Sequence, residues 1–127
     1  GRWPVAELLG PGDHRALAIA SIEGARRVVN EAARHAVLDV PAMEDYRLGL
    51  VLGRAVAHEI GHFLLATGTH AERGLMRANV GASEFAAVGI DGFRLDEDAS
   101  RWIRQRLTAD TPAGTAVRFA GFSYLRQ

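Results

Sequence analysis

AMEDYRLGLVLGRAVAHEIGHFLLA, residues 42–66, decides how this chain is read. Leu48, Leu52, Ala55, Val56, Glu59, Ile60, Phe63 and Leu64 recur with a helical period. Pro41 suits the first turn of a helix, and Glu44 and Asp45 suit the positive end of its dipole. The spacing predicts one helix from about Ala42 to Ala66. Thr67-Gly68 should end it, with Gly68 taking the left-handed C-terminal turn. Gly49, Gly53, Ala57 and Gly61 recur every four residues, a stripe without bulky side chains beside the histidine face. A helical glycine costs about 0.5–1 kcal/mol relative to alanine. The stripe therefore predicts close backbone approach by another element.

The chemistry of this segment lies in His58-Glu59-Ile60-Gly61-His62. Positions i and i+4 of a helix stand one above the other on one face. Two imidazoles so placed can each bind one Zn²⁺ at ~2.0–2.1 Å. Glu59, beside the first histidine, can reach a water held by the metal instead of the metal itself. A catalytic zinc takes three protein ligands and keeps one position open. His70 leads as the third, because a turn at Gly68 can bring the chain back toward the pair. Glu84, on a short helix expected at Ser83–Val88 with Ser83 as N-cap, is the main alternative. Glu72 and Asp91 are further ones.

The stretch from His58 to Met76 resembles the active-site segment of metzincin metallopeptidases, matrixins in particular. It also resembles small bacterial zincin-like proteins. Those families carry two helix histidines, a glycine turn, a third histidine and a methionine beneath the metal. The resemblance implies Zn²⁺ held by His58, His62 and His70, Glu59 as general base and Met76 as the methionine of that turn. It implies hydrolysis of a peptide or protein substrate by a metal-activated water. The spacing departs from the family pattern. Seven residues separate His62 from His70, and Gly68 stands two before His70 instead of three. Three other readings stay open: a zinc-binding module without catalysis, a gluzincin-like regulatory protease with Glu84 as third ligand, and a zinc-free helical domain in which the pentapeptide is accidental.

Composition sets the frame. A chain of 127 residues suits one domain, residues 1–127, with a proper core. Acidic and basic residues balance at 15 each, with no basic stripe, so no nucleic-acid partner is expected. All basic residues are arginine, which excludes Schiff-base lysine chemistry and a phosphate-loop lysine. Cysteine is absent, so any metal must be held by His, Asp or Glu, the donor set of catalytic sites. No membrane span is expected, and a monomer is. Gly1 in place of an initiating Met suggests a trimmed fragment.

Along the rest of the chain, residues 1–13 suggest an irregular lead-in. Ala16–Ile22 suggests a strand ending at a Glu23-Gly24 turn. Arg26–Asn30 is ambiguous, and Ala32–Val40 suggests a second strand. Thr69–Val80 suggests a loop. Asp96–Leu107 suggests a helix with Ala99, Trp102, Ile103 and Leu107 on its apolar face. Thr115–Tyr124 suggests a final strand or an extended tail. His14 and His35 are expected at the surface or in packing, Trp102 in the core and Arg77 in solvent. Tyr124 is a candidate oxyanion donor. The expected fold is α+β: a reduced zincin-like fold, with a short sheet packed on the long active-site helix and a C-terminal helix behind.

Overall fold

The structure, a computed structural model, describes residues 5–9, 17–36 and 41–109. Two short strands, β1 (Ala6–Leu9) and β2 (Leu17–Ala20), form an antiparallel pair in the register Ala6↔Ala20 to Leu9↔Leu17. Four helices follow: α1 (Ile22–Arg34), α2 (Glu44–Leu65), α3 (Ala82–Phe85) and α4 (Glu97–Ala109). The class is α+β, with helices dominant. α2 is the centre. The strand pair, α1, α3 and α4 all pack against it.

α2 matches the helix expected from the sequence to within two residues at each end. Pro41–Met43 forms a 3₁₀ turn that leads in, and Glu44 and Asp45 occupy the first turn. By length and mean hydropathy α2 could cross a membrane. Here it carries the core on one face. Val51 is fully buried, and Ala55 lies beside Ala25, Val29 and Ala32 of α1, with Ala86 closing the far side. Burying Val51 contributes about 1.5–3 kcal/mol.

The sequence misleads in several places. β1 lies inside the expected lead-in. Glu23-Gly24 is the first turn of α1, not a break, because the Ser21 hydroxyl caps Gly24 N at 3.0 Å. Ala32–Arg34 close α1 where a second strand was expected, since Ala25, Val29 and Ala32 share its buried face. Residues 37–40 of that expected strand lie outside the described residues, as do Thr115–Tyr124 and His14. α3 is shorter than Ser83–Val88, and Gly81, not Ser83, stands at its N-cap. Trp102 and Leu107 are exposed, and Ile103 alone on α4 is buried.

The left-handed turn after α2 also moves. Ala66 takes it, at φ 49° and ψ 41°, and its N–H bonds to Phe63 O. Gly68 has no positive φ. The glycine stripe draws no backbone close. A Cβ would meet open space at Gly49 and Gly53, and at Gly61 it would meet only the Met76 side chain.

Candidate metal centre

His58 and His62 stand one turn apart near the C-terminal end of α2, where the helix dipole favours a cation. The chain turns at Ala66 and returns through Thr67–Thr69. Thr67 Oγ1 accepts from Thr69 N at 3.1 Å and lies 2.8 Å from Thr69 Oγ1. This compact turn takes up the extra residues between the second and third histidines. His70 then meets the helix pair. His62 Nε2 lies 3.0 Å from His58 Nε2 and 3.2 Å from His70 Nε2. The three ring centroids are 4.6–5.2 Å apart.

The protons tell what this cluster is for. His58 Nδ1 donates to Leu75 O and His62 Nδ1 to Thr67 O, both at 2.8 Å. A carbonyl only accepts, so each Nδ1 carries a proton, which leaves Nε2 as the atom through which each ring can bind a metal. At 3.0 Å the two Nε2 atoms need a proton or a metal ion between them. Two nitrogens bound tetrahedrally to zinc at ~2.0–2.1 Å would stand about 3.3–3.4 Å apart, close to the His62 Nε2 distances to His58 and His70. The residues therefore fit a metal ion, and the three histidines can hold one. Desolvation, and then the charged forms of His62 and His58, lower the His70 pKa, with Glu59 opposing.

The floor of the site is the turn through Met76. Ala71 N donates to Met76 O at 2.8 Å, and Leu75 N to Arg94 O at 2.9 Å. Gly74 has φ 76°, and a Cβ there would strike Arg94 O, so the turn needs glycine. Met76 is buried, its sulfur packed against Gly61 of α2. The turn presents Leu75 O to His58 Nδ1.

Glu59 is half-buried and lines a cleft of about 920 Å³ together with His58 and His70. Among the described residues no fourth His, Asp or Glu joins the three histidines. Glu84 does not approach them. Its carboxylate binds Arg77, with Arg77 Nη2 donating at 2.6 Å and Nη1 at 3.2 Å. That hydrogen bond holds the Glu84 carboxyl below its ordinary range. Asp91 pairs with Arg94 and Glu72 is exposed. His35 is exposed and pairs with Glu31, and Tyr124 lies outside the described residues.

Arg77 is structural rather than solvated. Besides Glu84 it donates to Gly74 O and Gly92 O. Arg54 has no counterpart in the sequence reading. It is buried on α2, one turn before His58, and donates to Phe85 O at 2.7 Å, Ala87 O at 2.8 Å and Gly89 O. Its guanidinium lies 4.0 Å over the Phe93 ring. It thereby satisfies carbonyls at and just beyond the C-terminal end of α3. A lone arginine inside the apolar run Leu50–Ala57 was the signal available in the sequence.

The chain matches no known protein family, no curated protein and no solved structure.

Proposed function

We propose that this chain is a zinc-dependent peptide hydrolase with a reduced zincin-like, metzincin-type centre. The observation that carries the reading is the convergence of three Nε2 atoms, two of them on rings whose Nδ1 proton is fixed by a backbone carbonyl. Imidazole donors without thiolates favour zinc of the catalytic kind. Zinc, when bound, supplies Lewis acidity that lowers the pKa of a water and polarises a carbonyl.

The chain's own residues do the rest. His58, His62 and His70 hold the ion. The carbonyls of Leu75 and Thr67 fix ring tautomer and orientation. Glu59, facing the cleft beside His58, accepts the proton of the attacking water and returns it to the leaving amine. The cleft receives the peptide.

The absence of a fourth protein ligand among the described residues favours catalysis over a closed binding module. The Arg77–Glu84 pair speaks against Glu84 as third ligand. The test is Glu59→Gln in the zinc-loaded chain. Zinc content should stay unchanged while hydrolysis of a peptide library falls about 10²–10⁴-fold. Equal turnover by the variant would overturn the role of Glu59.

A further inference from the structure

Leu75 O accepts the Nδ1 proton of His58, so whatever holds Leu75 acts on the metal centre. The peptide unit that joins Gly74 to Leu75 is pinned at both ends. Leu75 N donates to Arg94 O at 2.9 Å, and Gly74 O accepts from Arg77 Nε at 3.1 Å. The second of these bonds comes from a side chain that is itself held. Arg77 Nη1 and Nη2 donate to the two oxygens of Glu84, and Nη2 donates also to Gly92 O at 3.2 Å. A Cβ on Gly92 would lie 3.0 Å from Glu84 Oε1, so the backbone there passes close beside the pair. A bidentate pair fixes the plane of a guanidinium as well as its place. With that plane set, the direction of Nε is set, and it meets Gly74 O.

The wall that carries Glu84 and Gly92 is anchored in turn by Arg54, through Phe85 O, Ala87 O and the Phe93 ring. Arg54 and His58 stand at i and i+4 on α2. The circuit leaves α2 at Arg54 and returns to it at His58, one turn further on. His62 lies outside this circuit. Its acceptor is Thr67 O, in a turn closed by the Thr67 and Thr69 hydroxyls.

We propose that Arg77 is a positioning residue of the metal centre: clamped by Glu84, it fixes the Gly74–Leu75 peptide and, through Leu75 O, the ring of His58. The inference rests on the metal centre of the hydrolase reading and not on turnover. It gives Glu84 a role at the site, that of anchoring Arg77 instead of binding the ion.

The test compares the full chain with Arg77→Gln, Arg77→Lys and Glu84→Gln. Zinc affinity is measured by competition with a chromophoric chelator. The Nδ1 protons of His58 and His62 are followed in long-range proton–nitrogen NMR spectra of the zinc-loaded chain. Arg77→Gln should weaken zinc binding about tenfold. Its His58 Nδ1 proton should exchange faster with water, while that of His62 keeps its rate. Arg77→Lys keeps a charge beside Glu84 but lacks the planar fork, so it should recover little of either. Glu84→Gln should move both quantities the same way by a smaller factor, about twofold to threefold. Its side chain is exposed, so this variant decides the matter if Arg77→Gln folds poorly. Unchanged zinc affinity or an unchanged His58 proton overturns the proposal. Full recovery in Arg77→Lys also overturns it, as does an equal change at His62, the mark of general loosening. Zinc binding without turnover would remove the hydrolase reading and leave the positioning role standing. Turnover with a zinc affinity indifferent to Arg77 would do the reverse.

Discussion

Met76 sets its sulfur in the space that a Cβ on Gly61 would fill. One residue belongs to the helix that carries the histidines, the other to the turn that holds Leu75 O against His58. Their contact fixes the depth at which the turn docks. Gly61→Ala should therefore destabilise the chain by about 1–2 kcal/mol through overpacking. In a Met76→Ala background the same change should stabilise it by about 0.5–1 kcal/mol, because only helix propensity remains. A double-mutant cycle by chemical denaturation checks the change of sign.

Ala66 pays a steric cost that its position imposes. At φ 49° its Cβ crowds the backbone, a penalty of about 1–2 kcal/mol for a residue other than glycine. Ala66→Gly relieves this and loses part of the gain to the more flexible unfolded chain. A net stabilisation of about 0.5 kcal/mol is expected, seen as a higher Tm. Ala66→Val should lower it. The reverse order would mean that the turn lies elsewhere.

Arg54 ties α2 to residues 85–93. Arg54→Met would strand the carbonyls of Phe85, Ala87 and Gly89 and should cost about 2–4 kcal/mol. Arg54→Lys should recover less than half of that. An ammonium lacks the planar fork and the stacking on Phe93. Urea denaturation of the three proteins measures the order.

The acid limb of stability should carry a signature of Glu84. Its folded pKa lies below the ordinary 4.5, because Arg77 hydrogen-bonds the carboxylate, with burial opposing. The unfolded chain therefore binds the proton more readily. The resulting stability is present above about pH 4.5 and is lost as pH falls through the depressed folded value. Glu84→Gln should flatten the pH dependence of Tm in that window and leave it unaltered near neutrality. An equally steep acid limb in the variant would show that the pair contributes nothing there.

Much of the site was legible because its information is local. His58, Glu59 and His62 depend only on helix periodicity, and His70 on a turn that a short polar segment after Leu65 allows. The exact turn residue was not legible. Glycine at 68 suggested the left-handed position, but the backbone bonds to His62 O and Phe63 O demand it at Ala66. The partners of the ring Nδ1 atoms were hidden, because backbone carbonyls leave no trace in residue identity. α1 was obscured because Gly24 resembles a turn signal and the valines of its apolar face also suit a strand. Arg54 and the Arg77–Glu84 pair join residues far apart in sequence, so tertiary packing alone reveals them. Trp102 is exposed because α4 meets α2 through few side chains, which a helical apolar stripe does not disclose.

The most direct test is a crystal structure of the zinc-loaded chain with anomalous data at the zinc edge. One ion is expected, bound by Nε2 of His58, His62 and His70, with a fourth position open toward Glu59 and the cleft. A peak elsewhere, a fourth protein side chain on the metal, or no ion despite saturating zinc would contradict the account.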